Sequence, residues 1–327
     1  MNPIPGNLAP EETQAVLADV LHALEGKEIR LDGWTADNGF TEHGKRRVVR
    51  YDLEAQDVRS SHTRRYRWVG KFYDRDEDAR RVSAVLERLS AADGRARGSV
   101  AVPSVLAYHV PRRLLMLTYE PGEPVSYAIA RDTDQILVAV ARTLATLHAA
   151  SIVPPGVISP DSLLRELGPK IENLCAHFPS EETSVRSSFD ALRRDAPPLP
   201  SHLSFVHGDF GPANLLWRSG YIVVLDFDKC ARGDPAADLG NLLGQLFRIS
   251  IRKPERLRDF ASARAKVLET YRRWSPADPG IDERIAWYER ATILRKVHSV
   301  TFGPTADEDE EEARRREADA FRLLRRE

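Results

Sequence analysis

The chain has 327 residues, enough for one large domain or two modest domains with a substantial core. Its 48 basic and 49 acidic side chains balance, which excludes a global field that would attract nucleic acid or an anionic membrane. With 42% hydrophobic and 30% charged residues and no apolar run near the roughly 20 residues of a membrane span, a globular protein without a membrane segment is predicted.

The first residues and the cysteines bear on the compartment. Residues 1–25 carry several acids and no long apolar run, which argues against a secretory signal. Cys175 and Cys230 form neither a metal-binding spacing nor a disulfide framework. A reduced cytoplasm is therefore expected.

The first third of the chain predicts a small sheet that carries one main helix. Residues 10–25 form an amphipathic pattern whose apolar stripe is Val16, Leu17, Val20, Leu21 and Leu24. The segments "EIRLDGW", "RRVVRYDLEA" and "RRYRWVGKFY" have the character of strands, "DEDARRVSAVLERL" has a helical period, and "VPSVLAYHV" and "RRLLMLTYEPG" add two strands. These elements predict an N-terminal lobe at 1–120.

The remainder, 121–327, is predicted to be a mostly helical lobe. Residues 133–150 have a helical apolar period, and more helix follows to about 194. After the break "APPLPS", the segment "NLLWRSGYIVVLDFD" predicts a β-hairpin that turns at Ser219-Gly220, and helices are predicted from 235 to 300. Together the two lobes give an α+β fold class.

The segment "VHGDFGPANLLW" has two interpretations. It is either a polar turn before a hairpin, or a loop whose Asp209 and Asn214 act as a base and a metal ligand. Asp226 emerges from the second hairpin strand, beside the start of the first. Phosphoryl transfer from ATP needs one carboxylate for the hydroxyl proton, and a carboxylate with an amide oxygen for Mg²⁺. The spacing HxDxxxxN followed by D-F favours the second interpretation.

With "HGDFGPANLLW", "VVLDFD", "GDPAADLGNLL" and "ATLHAA", the chain resembles the aminoglycoside phosphotransferase and choline kinase-like family. The resemblance implies a bilobal protein-kinase-like fold that binds ATP and Mg²⁺. It implies Asp209 as the catalytic base and Asn214 and Asp226 as magnesium ligands. It also implies that His207 shapes the loop and that Asp238 supports it, although helix capping by Asp238 stays open.

Three further residues have structural interpretations as well as functional ones. Asp234, before Pro235, is predicted to be a helix N-cap. Asp228 fits either a further metal contact or an exposed acid. His148 is expected to pack at a helix end.

By the same resemblance, the N-terminal lobe supplies the nucleotide site. Strand alternation places Val69 and Lys71 on one face, so that Lys71 would reach the α- and β-phosphates and Val69 would cover the adenine. A mid-strand lysine is costly to bury without an anionic partner, although an edge-strand position would explain it as well. Backbone groups of Thr118, Tyr119 and Glu120 would bind the adenine edge, in what is also an interlobe linker.

Two positions depart from the family pattern. No GxGxxG motif joins the first two strands, so the phosphate-covering loop is assigned to Asn38 and Gly39. The position of the helix glutamate that pairs with the strand lysine holds Val82. Glu77, one turn earlier, is the remaining candidate for a partner of Lys71.

The acceptor is predicted to be a small molecule rather than a protein. Gly208 replaces the arginine of H-R-D, and only seven residues separate Asp226 from Asp234, which leaves little room for peptide docking. Aminoglycosides would need pocket carboxylates, and choline would need an aromatic cage. The candidate acids are Glu181, Glu182, Asp282, Glu283 and Glu289, and the candidate aromatics are Trp274, Trp287 and Tyr288. An amino sugar, a neutral sugar or another alcohol is equally compatible.

A different class of function stays open. The absent glycine motif and the displaced glutamate favour a non-catalytic nucleotide-binding scaffold, whereas the complete set of Asp209, Asn214 and Asp226 favours an enzyme. The sequence gives no sign of an obligate protein partner.

Overall fold

The computed structural model describes residues 8–42, 46–60, 62–92, 100–303 and 310–325, with only the backbone at 38–42, 46–47, 92, 310–314 and 317. The chain divides into two units, Met1–Pro121 and Gly122–Glu327. Within the described residues, none of the helices combines the length and apolar character that crossing a membrane requires.

The first unit is a five-stranded antiparallel sheet with two helices. Its elements are α1 (Pro10–Glu25), β1 (Ile29–Glu42), β2 (Arg46–Asp57), β3 (Thr63–Phe72), α2 (Asp76–Ala92), β4 (Val105–His109) and β5 (Leu114–Thr118). The strand order is β1-β2-β3-β5-β4. The predicted antiparallel N-terminal sheet is confirmed.

The helix α1 belongs to the core of the first unit. Val16, Leu17, Val20 and Leu21 are buried in one cluster with apolar side chains of the sheet, as the predicted stripe requires. Leu24 is an exception, with 46% of its surface exposed. It lies in the last turn, where Gly26 at φ 92° ends the helix and turns the chain toward β1, so the stripe stops at Leu21.

Alternation along β3 divides its side chains between two faces. Trp68 and Phe72 belong to the cluster that contains α1. Val69 and Lys71 therefore lie on the opposite face, and they pair across the ladder with Leu117 and Leu115 of β5. Lys71 is only 7% exposed.

The second unit is mostly helical. Its helices are α3 (Val125–Ala128), α4 (Thr133–His148), α5 (Pro160–His177), α6 (Glu182–Arg194), α7 (Pro235–Arg252), α8 (Phe260–Trp274), α9 (Ile281–Phe302) and α10 (Glu310–Arg325). Its short strands are β6 (Glu123–Pro124), β7 (Val157–Ile158), β8 (Ser204–Val206), β9 (Leu215–Arg218), β10 (Tyr221–Val224) and β11 (Ala231–Gly233). They form two three-stranded sheets, β10-β9-β6 and β7-β11-β8.

The predicted hairpin is β9 and β10. Leu215 pairs with Val224 at its open end, and Arg218 pairs with Tyr221 at the turn. Both turn residues, Ser219 and Gly220, have positive φ, as a two-residue turn that follows the twist of the strands requires.

Helices α7 and α9 approach closely through glycine. A Cβ added to Gly240 would lie 2.4 Å from Cβ of Tyr288, and one added to Gly244 would lie 2.8 Å from Cγ2 of Thr292. Any larger residue at Gly240 would push the two helices apart, and these helices line the site described below.

Candidate active site

The loop between β8 and β9 brings the predicted residues of the second unit together. It begins at His207, directly after β8, and ends at Asn214, directly before β9. The N–H of Leu225 donates to the carbonyl of Asn214 at 2.9 Å, which continues the ladder one step beyond the hairpin strands. The next residue is Asp226, so Asn214 and Asp226 lie at the same open end of the hairpin.

His207 is fully buried and fixes the start of this loop through both ring nitrogens. Its Nδ1 accepts the N–H of Asp209 at 3.2 Å. The proton of a neutral ring must then lie on Nε2, which donates to the carbonyl of Leu225 at 2.8 Å. One imidazole therefore ties the backbone of Asp209 to the strand end that precedes Asp226.

Asp238, fully buried in the first turns of α7, holds the same loop from behind. Its Oδ2 accepts the N–H of His207 at 2.7 Å, and its Oδ1 accepts the N–H of Gly208 at 2.9 Å. The helix is capped by Asp234 instead, whose Oδ1 accepts the N–H of Ala236. Asp238 thus acts on the loop rather than as a cap.

The local structure explains why position 208 is a glycine. Its φ is 78°, and a Cβ added there would lie 2.4 Å from the carbonyl oxygen of Lys229. A side chain is excluded by both the backbone conformation and the close approach. The glycine that replaces the arginine of protein kinases is therefore required by this loop.

His148 packs at the end of α4 against the ring of Tyr271, as expected, and it has polar partners as well. Its Nε2 lies 3.2 Å from Oδ2 of Asp238, and its Nδ1 lies 2.8 Å from the hydroxyl of Tyr271. The sequence placed His148 at a helix end but could not reveal its polar partners from α7 and α8.

Asn214 and Asp226 offer two oxygen ligands. The Asn214 amide donates through Nδ2 to the carbonyl of Asp209 at 3.1 Å, which leaves Oδ1 on the other side of the amide as an acceptor. Asp226 has left-handed backbone, φ 60° and ψ 71°, a conformation that is costly outside glycine and concentrates at functional sites. The sequence fits Asp228 as either a metal contact or an exposed acid. The residue is only 5% exposed, so the exposed alternative is wrong.

The oxygen atoms of these two side chains are compatible with Mg²⁺. Among the described residues, no group of three or more His, Cys, Asp or Glu side chains could form a metal cage. Mg²⁺ is usually bound by one or two carboxylates together with water and substrate phosphates. A carboxylate from Asp226 and an amide oxygen from Asn214 match that sparse donor set.

Asp209 projects its carboxylate from this fixed loop. Its side chain is 23% exposed, and Oδ2 accepts a hydrogen bond from Nζ of Lys229 at 2.7 Å. Burial acts to raise the pKa of Asp209, but the charge and hydrogen bond of Lys229, with the charges of Arg295 and Lys296, lower it to about 2. Asp209 is therefore fully ionised at neutral pH.

We expect Lys229→Met to move the pKa of Asp209 upward, toward or above its ordinary value of 3.8. Only the charges of Arg295 and Lys296 would then oppose the rise in pKa that burial causes. In the wild type the ion pair stabilises the fold above pH 3.8, and this contribution is lost as the pH falls through about 2. A ¹³C NMR titration of the carboxyl carbon measures the shift. Lys266→Met, which removes the partner of Asp134, is the matched control, and an unchanged Asp209 titration in Lys229→Met would contradict the assignment.

The candidate nucleotide residues lie in the first unit. The N–H groups of Thr118 and Tyr119 donate to the carbonyls of Ser104 and Arg67, so an adenine would have to use other backbone groups of 118–120. Glu77 is exposed in the first turn of α2.

Asn38 and Gly39 fall in β1, where the pairing with β2 shifts register between Asp37 and Phe40. Their side chains lie outside the described part of the structure. The two residues predicted to form a loop therefore lie within a strand, at an irregularity of its pairing.

Sequence reasoning missed three residues of this site. Lys229 directly follows "DFD", and Asn241 lies within "GDPAADLGNLL", so both had a signal in the quoted motifs. Asn241 donates through Nδ2 to the carbonyl of Phe210 at 3.0 Å, and its Oδ1 accepts from Nη2 of Arg295 at 2.5 Å. Arg295 had no local signal, because it lies far along the chain on α9.

Three solved structures that are similar to this chain are two phosphotransferases and a choline kinase. A thermostable mutant of aminoglycoside phosphotransferase APH(4)-Ia, in complex with ADP and hygromycin B, is 16% identical, with 94% of this chain and 98% of that chain covered and a TM-score of 0.59. Macrolide 2'-phosphotransferase MphH from Brachybacterium faecium is 20% identical, with 96% and 98% covered and a TM-score of 0.51. Choline kinase LicA from Streptococcus pneumoniae is 14% identical, with 96% and 99% covered and a TM-score of 0.55.

At these identities the structural likeness shows the fold alone, and it confirms the predicted protein-kinase-like class. No curated protein sequence matches the chain. The phosphotransferase enzyme family matches residues 45–277, which is more than half of the sequence. The resemblance read from the motifs is thereby confirmed, and the chain belongs to the phosphotransferase enzyme family.

Proposed function

We propose that this protein transfers the γ-phosphoryl group of Mg-ATP to a hydroxyl group of a small molecule, with Asp209 as the base. The observation that carries the proposal is the loop that Asp238 and His207 hold, with an ionised Asp209 carboxylate at its surface. Two oxygen ligands, Asn214 and Asp226, follow at the open end of the adjacent hairpin. Family membership supports phosphotransfer to a small molecule.

In the proposed reaction, the acceptor oxygen forms a bond to the γ-phosphorus while the bond from that phosphorus to the β–γ bridging oxygen breaks. ADP leaves, and the hydroxyl proton passes to a carboxylate oxygen of Asp209. A carboxylate with a pKa of about 2 is a weak base. It suffices because the transition state is loose and the hydroxyl becomes acidic only as its oxygen bonds to phosphorus.

Asn214 Oδ1 and the Asp226 carboxylate would hold the magnesium ion, whose charge, when it is bound, offsets that of the phosphate oxygens. Lys71 would contact the α- and β-phosphates, and Val69, with backbone groups of 118–120, would contact the base. Asn38 and Gly39 would cover the phosphates. The ADP and AMP-PNP complexes of the related fold support a nucleotide as the donor.

A non-catalytic nucleotide-binding scaffold is the second candidate. The observation that favours it is the ion pair between Lys229 and Asp209, which occupies a carboxylate oxygen that a hydroxyl would use. Incubation with Mg-ATP and a panel of aminoglycosides, amino sugars and choline, followed by mass spectrometry, separates the two. Transfer that needs Asp209 supports the enzyme. Tight nucleotide binding with no transfer to a broad panel and no ATP hydrolysis supports the scaffold.

We expect Asp226→Asn to weaken Mg-dependent binding of AMP-PNP by at least about tenfold, because a charged metal ligand becomes neutral. Asparagine tolerates the left-handed backbone at this position, so the change removes charge with little strain. Isothermal titration calorimetry with and without Mg²⁺ measures the effect. Asp282→Asn, at an exposed acid on α9, is the control, and equal magnesium dependence in both variants would refute the assignment.

A further inference from the structure

A cavity of about 260 Å³ opens beside the catalytic loop, within the helical unit. Helices α5, α7 and α9 form its walls, and Gly208 and Lys229 lie at its edge, next to Asp209. Its charged lining residues are Glu166, Lys229, Asp238 and Arg295, and Ser162 and Asn241 are among its polar ones. A hydroxyl presented to Asp209 would have the rest of its molecule in this cavity.

The carboxylates around this cavity already have partners. Glu166 accepts from Nζ of Lys170 at 2.6 Å. Burial acts to raise the pKa of Glu166, but the hydrogen bond from Lys170 and the charges of Arg295 and Lys229 keep it lowered, so Glu166 stays ionised. Asp238 accepts two backbone N–H groups. A cationic ligand would compete with these partners for every acid.

Lys229 is paired with Asp209, but Arg295 is less fully compensated. Arg295 donates to the neutral amide of Asn241, and within the described residues neither Arg295 nor its neighbour Lys296 has a carboxylate at ion-pair distance. Burial, together with the charge of Arg295, lowers the pKa of Lys296 to about 8, while the charge of Asp209 opposes the shift. Charges in this setting are costly unless an anion joins them.

The acids considered for a polycationic acceptor are mostly engaged elsewhere. Four of the five form ion pairs with arginine: Glu181 with Arg325, Glu182 with Arg186, Asp282 with Arg272, and Glu289 with Arg264. The aromatic candidates do not form a cage either, because Tyr288 lines the cavity without Trp274 or Trp287. Trp287 is buried and donates to the carbonyl of Leu192, and the face of Trp274 is covered by Arg142 at 4.2 Å.

We propose that the acceptor is a compact hydroxyl compound that bears a carboxylate or a phosphate, and that Arg295 and Lys229 bind this anionic group. The inference rests on the proposed function, because it assigns the acceptor of that reaction. The cavity is at or below the lower end of the roughly 300–1,000 Å³ of typical ligand pockets, which suits a hydroxy acid or a single sugar. An anionic group would also draw Lys229 from Asp209 and release the carboxylate oxygen that the hydroxyl needs.

The test uses acceptors that share a hydroxyl scaffold and differ in charge. One set is glucuronate, glucose and glucosamine, a second is glycerate, glycerol and serinol, and glucose 6-phosphate separates phosphate from carboxylate. With Mg-ATP and the full chain, we expect kcat/KM for an anionic member to exceed that of its neutral and cationic counterparts by at least about tenfold. Saturation-transfer NMR with Mg-AMP-PNP measures binding of the same compounds independently of turnover.

Variants of Arg295 assign the effect to this cavity. We expect Arg295→Met to raise KM for the anionic acceptor by about 10-fold to 100-fold, with kcat changed less, and Arg295→Glu to favour the cationic member. Arg295→Lys, which keeps the charge, should fall between wild type and Arg295→Met. Arg290→Met, on the exposed side of the same helix, is the control, and the melting temperature and AMP-PNP affinity report folding.

The outcomes separate this inference from the proposed reaction. If anionic compounds bind wild type but not Arg295→Met and no phosphate is transferred, the anion site stands and the phosphotransfer proposal fails. A preference for neutral or cationic members, or no binding of any compound, overturns the inference. It is equally overturned if Arg295→Met weakens AMP-PNP binding and leaves acceptor binding intact, because the cations would then serve the nucleotide.

Discussion

Asp209→Asn is expected to lower kcat for phosphate transfer by about 10²-fold to 10⁴-fold, the range associated with a positioned acid or base. Asparagine has nearly the same volume and keeps the loop, since His207 holds the backbone N–H of this residue rather than its side chain. Nucleotide binding should therefore change little, because neither Asn214 nor Asp226 is altered. Single-turnover transfer and AMP-PNP titration measure the two effects separately.

The change also removes the hydrogen bond from Lys229, so its effect must be separated from loss of the ion pair. Lys229→Met removes the same pair and leaves the carboxylate, and it should retain more of the chemical step than Asp209→Asn. Asp161→Asn, at an exposed acid in the first turn of α5, is the matched control. Full turnover by Asp209→Asn would show that another group takes the hydroxyl proton.

The fold was readable from the sequence because local patterns determine it. Strand alternation in the first unit and helical periods in the second gave the elements, and Ser219-Gly220 gave the hairpin turn. The prediction that Leu24 is buried was wrong, because periodicity does not show where the sheet stops covering a helix. Gly26 ends α1 about one turn after Leu21.

Spacing associates the residues of the candidate site only where they are close in sequence, and Asp238 was assigned to the loop by the family resemblance instead. Asp209, Asn214 and Asp226 lie on one loop and one hairpin, so spacing alone suggests their association. His148, Asp238 and Arg295 come from three different helices, and their contacts depend on how those helices pack. The burial of Asp228 and the ion pair of Lys229 with Asp209 are likewise products of tertiary structure.

The glycine at 208 shows how a sequence difference can have a structural cause. Because glycine lacks the charge of the arginine in protein kinases, this position argues against a protein substrate. The structure adds that its positive φ and the close carbonyl of Lys229 forbid any side chain. The loop is therefore shaped so that Lys229 lies against it, and Lys229 in turn lowers the pKa of Asp209.

Asp238→Ala is expected to lower the free energy of unfolding by roughly 3–5 kcal/mol and to reduce transfer strongly. The N–H groups of His207 and Gly208 are bound by this carboxylate, and both would lose their acceptor in a buried site. His148 would lose its partner on α7 as well. Urea unfolding gives the stability, and kcat of the folded fraction reports whether Asp209 keeps its position.

Two variants show whether the effect comes from the loop. Asp259→Ala removes a carboxylate that also accepts a backbone N–H, but at the exposed start of α8, and should cost only about 1 kcal/mol. Asp238→Asn keeps one oxygen acceptor and should be intermediate in both stability and kcat. If Asp238→Ala proved no more costly than Asp259→Ala, or if it unfolded readily while its folded fraction kept full kcat, Asp238 would be a stabilising residue of α7 and not the group that positions the catalytic loop.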